Sequence, residues 1–228
     1  MSDVRSYRAL LLVGSPKPKG GASSSFAGAV DSRLESRGWE TRTERITPAF
    51  SNAEHMRRLI GAIGTSDLVV LSFPVYVDSL PAPVMRLLEA WRDAVTDDSL
   101  DAAAAPRLAV LTQCGFPEAK HCDVAVEVCR LFAEGVGAEW AGALAFGMGG
   151  SIEGRPVEQS PLGRVLPEFD AAVSALAEGR PIPPTSTAAF ARPLAPAWAY
   201  PLAGGFIWKR QARKRGCTEP LTLRRYAQ

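Results

Sequence analysis

Ala9-Leu10-Leu11-Leu12-Val13-Gly14-Ser15-Pro16-Lys17-Pro18-Lys19-Gly20-Gly21-Ala22-Ser23-Ser24-Ser25 is the stretch whose reading decides the fold. Its first five residues are a continuous apolar run without alternation, which predicts a strand buried on both faces. Glycines, serines and lysines follow at once, and helical spacing resumes over Phe26–Arg37, with Gly38 as the stop. A polar turn between a buried strand and a helix N-terminus is an anion site. Backbone N–H groups point outward there, the helix dipole favours negative charge, and hydroxyls and a Lys add donors. Open α/β sheets also bind ligands at the carboxyl ends of their strands.

Two common phosphate motifs are excluded. No Lys-Ser or Lys-Thr pair follows the second glycine, as a P-loop requires, and Gly14-Ser15-Pro16 breaks a dinucleotide fingerprint at its third position. A serine cluster suits the terminal oxygens of a monophosphate.

Downstream the pattern repeats. Trp39–Ile46 alternates charged and larger residues like an edge strand. Ser51 or Asn52 can cap a helix carrying Met56, Leu59, Ile60 and Ile63, closed by Gly64. Buried strands are predicted at Asp67–Phe73, Arg107–Thr112 and Trp140–Phe146, with helices through Met85–Trp91, Val124–Glu134 and Leu162–Glu178. Strands alternating with helices imply right-handed crossovers and a doubly wound, five-stranded parallel α/β sheet. An amphipathic second strand at the edge fits the order 2-1-3-4-5. In that order the turns after the first, third and fourth strands, Ser15–Ser25, Pro74–Pro83 and Gln113–His121, meet at one crevice.

The chain has 228 residues, 46% of them hydrophobic, and a formal net charge of +2. That is enough for one α/β domain with an appendage, and too little positive charge to argue for nucleic acid. No apolar stretch reaches the roughly 18–20 residues of a membrane span, and the short apolar run near the N-terminus lacks a signal-peptide cleavage pattern. The expectation is a cytoplasmic protein whose four cysteines, Cys114, Cys122, Cys129 and Cys217, are reduced thiols. No paired motif completes a metal site.

Tyr76 stands among prolines in the second turn, and Gly115-Phe116-Pro117 in the third. Such walls suit a planar ring with polar edges, and a phosphate at one end with a flat ring at the other describes FMN. For Asp78 the competing reading is a helix cap or a solvated charge. His121, in the third turn, is a further candidate at the ring or an acceptor, against a surface residue at a helix start. The glycine-rich Gly147–Gly154 loop could border the same space.

Gly14-Ser15-Pro16-Lys17 with its serines, Pro74-Val75-Tyr76-Val77-Asp78-Ser79-Leu80-Pro81 and Cys114-Gly115-Phe116-Pro117-Glu118 resemble the flavodoxin-like NAD(P)H-dependent FMN reductase family, in the branch with a C-terminal extension. The likeness covers most of residues 7–180, with Pro18–Gly21 as a small insertion in the first loop. It implies Ser15, Lys17, Ser23, Ser24 and Ser25 at the FMN phosphate. It implies Pro74, Val75, Tyr76, Val77 and Asp78, with Gln113, Cys114, Gly115 and Phe116, at the flavin ring. NADPH or NADH is the implied electron donor. A quinone, a nitro- or azo-aromatic, or a flavin is the implied acceptor, and a homodimer the implied assembly. The chemistry is carried by the flavin, so no catalytic acid or base is expected of the protein. An FMN-binding electron carrier or redox sensor without nicotinamide turnover is the main rival, and an interaction module that has lost the cofactor is a third reading.

The composition changes after Arg180. Residues 1–180 are expected as the FMN-binding domain. Residues 181–228, with six prolines before Trp208, are expected as an extended arm packing on that domain or a partner subunit, with its basic run in water.

Overall fold

The computed structural model describes residues 6–17, 20–101, 105–152, 154–196 and 198–217. Pro18 and Lys19 of the first loop's insertion lie outside them. Five strands, β1 (Arg8–Val13), β2 (Glu40–Arg45), β3 (Leu68–Pro74), β4 (Arg107–Gln113) and β5 (Glu139–Phe146), form one all-parallel sheet in the order β2-β1-β3-β4-β5. The helices are α1 (Ala22–Glu35), α2 (Ala53–Gly64), α3 (Ala82–Thr96), α4 (Asp123–Gly135), α5 (Leu166–Ala177), α6 (Pro184–Ala191) and α7 (Ala199–Lys214). Strand order and alternation are those expected from the sequence.

The apolar runs are continuous because both faces of the sheet are covered. Ala9, Leu11 and Val13 of β1 point into one core layer, with α1, α5 and α6; Leu10 and Leu12 point into the other, with α2, α3 and α4. Phe26, Phe146, Phe169 and Phe190 fill the first layer, the Phe26 and Phe146 rings lying 4.7 Å apart. Trp91 and Phe132, 5.2 Å apart and edge-on, anchor the second. β2 is the polar edge, with Glu, Arg and Thr half-exposed or exposed.

The other edge is blunted by a bulge. Leu108 pairs with Trp140 but Ala109 with Gly142, so Ala141 is left out of the ladder. Its carbonyl accepts instead from the Ile182 N–H at 2.8 Å. Gly142 has φ +106°, and a Cβ there would meet Ile182 Cβ at 3.0 Å, so glycine is needed both for the bend and for the close approach.

Three boundaries differ from the sequence expectation. α1 begins at Ala22 rather than Phe26, because Gly21 takes the extended N-cap conformation and the serines become its first turn. The last helix of the alternation is divided into a 3-10 turn at Pro161–Val165 and α5. The C-terminal segment is helical where an extended path is expected. Pro184 and Pro201 fall in first helical turns, where a missing N–H costs nothing.

The chain divides into two compact units, one up to Leu194 and one from Ala195. Ile182, Ala189 and Phe190 are buried in the first layer of the first unit. In the second unit, α7 has Tyr200, Leu202 and Phe206 early and Lys209, Arg210, Arg213 and Lys214 late, where cations favour the helix dipole. Among the described residues no helix is long and apolar enough to cross a membrane.

Candidate functional site

Parallel strands end together, so the turns after β1, β3 and β4 meet at one sheet end. Between them lies an open cleft of about 200 Å³. That is below the about 300–1,000 Å³ of pockets that enclose a whole drug-sized ligand, so this cleft can hold one end of a larger molecule and leave the rest open. Ser15, Lys17, Gly21 and Ala22 line it from the first turn, Pro74, Val75 and Tyr76 from the second, and Gln113, Cys114 and Gly115 from the third. Gly149 and Gly150, after β5, complete the wall.

The Lys17 N–H reaches Ser15 Oγ at 3.4 Å, and the first turn delivers the chain to the N-terminus of α1. No side chain caps that helix at Gly21. Ser24 and Ser25 N–H groups bond the Gly21 carbonyl, so both residues sit inside the first helical turn. Ser23 is fully buried and turns away from the cleft: its hydroxyl accepts from Gln113 Nε2 at 3.0 Å, and its carbonyl from Ser72 Oγ at 3.1 Å.

Gln113 is 6% exposed. Its amide nitrogen is held by Ser23, but its Oε1 has no hydrogen-bond partner. Leaving such an acceptor unpaired costs about 1–3 kcal/mol. Gly149 makes room for it, because a Cβ at Gly149 would lie 2.4 Å from Gln113 Cγ. The Gly149 N–H in turn bonds the Cys114 carbonyl at 2.9 Å, and the Met148 N–H bonds the Phe116 carbonyl at 2.7 Å.

The second turn is strained. Val77 and Asp78 have φ of 51° and 55°, two consecutive non-glycine residues in the left-handed region. Paired Tyr76–Ser79 backbone bonds of 3.0 and 3.1 Å close the turn around them. Asp78 does not cap α3, whose N-cap is Pro81. Instead its Oδ1 lies 3.3 Å from His121 Nδ1, tying the second turn to the third. The His121 ring packs on Phe116 at 4.5 Å. Tyr76, Val77 and Phe116 are exposed around the cleft mouth. Val77, Asp78, Phe116 and His121 thus stand around the cleft mouth, outside its lining.

Cys114 belongs to the wall, with its thiol buried against the Phe116 and Glu118 carbonyls at 3.5 and 3.4 Å. The Cys122 thiol, also buried, hydrogen-bonds to it and lowers its pKa, and the same bond, with burial, raises that of Cys122. Burial alone raises Cys129 to about 12.

Arg45 and Thr47 are the participants that sequence reasoning misses. Arg45 Nη2 donates to the Ser15 carbonyl at 3.2 Å and to the Lys17 carbonyl, and Thr47 Oγ1 donates to the Ser15 carbonyl at 3.1 Å. They come from the polar edge strand and the turn after it, and nothing in that pattern signals a site. The glycines at 149 and 150 did carry a signal, as a glycine-rich stretch closing a buried strand.

These residues fit a flavin mononucleotide. Ser15, Lys17 and the N-terminus of α1 suit its phosphate, and the open mouth with exposed aromatics suits a ring.

No protein-family model matches the chain, and no curated protein is significantly similar to it. Solved structures are. An NADH:FMN oxidoreductase in its apo form superposes with a TM-score of 0.57 at 15% identity, over 84% of this chain and 97% of that one. A flavodiiron core from Synechocystis gives 0.54 at 15% identity, over 77% of this chain and 36% of the other. Rubredoxin oxygen:oxidoreductase from Desulfovibrio gigas gives 0.51 at 10%, over 75% and 35%. The strand order, the three turns gathered at one sheet end and these superpositions together give the chain the flavodoxin-like fold.

Proposed function

We propose that the protein is an FMN-dependent NAD(P)H oxidoreductase that passes electrons to a small-molecule acceptor: a quinone, a nitro- or azo-aromatic, or a flavin. One observation carries the reading. Gln113, whose buried carboxamide oxygen has no partner, lines the same cleft as an uncapped helix N-terminus and a Ser-Lys turn. The likeness to an NADH:FMN oxidoreductase agrees with it.

Bound FMN would supply the chemistry, accepting hydride from a nicotinamide and releasing electrons to the acceptor. The chain's part is to bind and orient. Ser15, Lys17 and the first turn of α1, through Ser24 and Ser25, would hold the phosphate. Ser23 acts indirectly, by fixing the Gln113 amide. Pro74, Val75, Gln113, Cys114 and Gly115 would border the ring, with Tyr76, Val77, Asp78, Phe116 and His121 around its open side. That openness leaves a face for NADPH or NADH and then for the acceptor. The assembly is read as a homodimer.

Titration of the protein with FMN, riboflavin and FAD, followed by anaerobic NADPH or NADH, tests the proposal. Preference for FMN and bleaching of the bound flavin by a nicotinamide are expected. Equal affinity for riboflavin refutes the phosphate assignment. A flavin reduced by dithionite but by neither nicotinamide makes the protein an electron carrier.

A further inference from the structure

Arg45 lies thirty residues from Ser15 in sequence, on the polar edge strand, and reaches over the first turn. Its guanidinium grips two backbone carbonyls of that turn, those of Ser15 and Lys17. The Ser15 carbonyl also accepts from Thr47 Oγ1, so both of its lone pairs are engaged from the β2 side.

The consequence is directional. Carbonyl oxygens repel an anion, and a turn whose carbonyls are drawn toward Arg45 and Thr47 keeps those oxygens engaged on the β2 side instead of leaving them free toward the cleft that Ser15 and Lys17 line.

The charge balance points the same way. The neighbouring Arg42 is neutralised by Glu44 at 2.7 Å. Arg45 bonds carbonyls, and among the described residues no carboxylate pairs with it. A half-buried guanidinium without a counter-charge, one peptide unit behind an anion-binding turn, adds a positive field where a phosphate would sit.

We propose that Arg45 is the specificity-determining cation of this site: with Thr47, it latches the Ser15–Lys17 turn from behind and makes the cleft select a phosphate monoester over the same ligand without its phosphate. This rests on the reading of the cleft as an FMN site. Arg45 touches the turn, so it is a positioning residue with an electrostatic effect on the anion.

The test compares FMN and riboflavin titrations, followed by flavin fluorescence quenching, for the wild type, Arg45→Met, Arg45→Lys and Thr47→Val. Arg45→Met should weaken FMN about ten- to hundredfold, the loss expected of a charge-assisted contact, and change riboflavin less than about twofold. Arg45→Lys keeps the charge but cannot fork to two carbonyls, so it should fall between. Thr47→Val should cost a few-fold on FMN. Parallel losses for FMN and riboflavin in Arg45→Met overturn the proposal, because the latch would then only shape the loop.

A second readout separates this from the cofactor assignment. Inorganic phosphate should raise the melting temperature of the wild type but not of Arg45→Met. If the wild type binds neither flavin yet shows this difference, the cofactor reading falls and the role of Arg45 stands. If phosphate protects both proteins alike, or neither, the proposal falls whatever the flavin titrations give.

Discussion

Replacing Gln113 by Leu should move stability and cofactor affinity in opposite directions. Gln113 is 6% exposed, with one amide end satisfied by Ser23 at 3.0 Å and the other orphaned. Removing the orphaned oxygen recovers about 1–3 kcal/mol of desolvation cost, while losing the Ser23 bond gives back about 0.5–1.5 kcal/mol. Leu is close in volume and satisfied by the buried site. Ser23, in the first turn of α1, can redirect its hydroxyl to a nearby carbonyl. The apo-protein should therefore gain on the order of 1 kcal/mol. If bound FMN bonds this oxygen, as proposed, the sign reverses. The oxygen would then have a partner, and losing a neutral hydrogen bond should raise the Kd about two- to thirteenfold. Urea unfolding with and without saturating FMN, beside a flavin titration, reads both quantities. An apo-protein destabilised by more than about 2 kcal/mol, with FMN affinity unchanged, would show that Gln113 is a structural strut, and the reasoning from its free oxygen would fail.

Other outcomes follow from the same geometry. Gly149→Ala places a methyl 2.4 Å from Gln113 Cγ, so it should cost about 1–3 kcal/mol by overpacking and reduce flavin uptake, as measured by thermal melting and bound-flavin absorbance. Raised thiol pKa values at Cys122 and Cys129 mean that the folded state holds those protons while the unfolded state releases them above about 9, so stability should fall as pH rises from 9 toward 12 in pH-dependent unfolding. Phe190→Ala, removing a ring that is 1% exposed among Phe26, Phe146 and Phe169, should cost about 3–5 kcal/mol in urea. Ending the chain after Arg180 should abolish the cooperative melt that ending it after Leu194 preserves, because only the first removes Ile182 and Phe190 from the core.

The sheet was legible because burial on both faces leaves an unmistakable trace: Leu10 and Leu11 point to opposite core layers, so neither can be polar. The polar edge strand β2 is legible for the converse reason. The bulge at Ala141 is not, since Gly142 reads only as a weak point until Ile182 is seen against it. The C-terminal path misleads because prolines are counted as breakers, whereas Pro184 and Pro201 fall in first helical turns. At the cleft, residues adjacent in sequence to strand ends could be placed. Arg45 and Thr47 could not, because their role depends on β2 lying beside β1, which turns a surface arginine toward the first loop.

The strain in the second turn has the same origin in long-range contacts. Left-handed backbone at an L-residue costs roughly 1–2 kcal/mol, and here two such residues follow one another, one of them the β-branched Val77. Val77 is 99% exposed, so no burial of its own side chain offsets this. The compensation must come from the bonds between Tyr76 and Ser79, from Val75 N–H to the Gln113 carbonyl at 2.7 Å, and from Asp78 against His121. Two of those anchors belong to the third turn. The second turn therefore cannot relax without disturbing Gln113 or the His121–Phe116 stack, and the two walls of the cleft behave as one unit. A ligand that bonds this strained backbone would be recognised by a conformation the chain already holds, which lowers the ordering cost of binding.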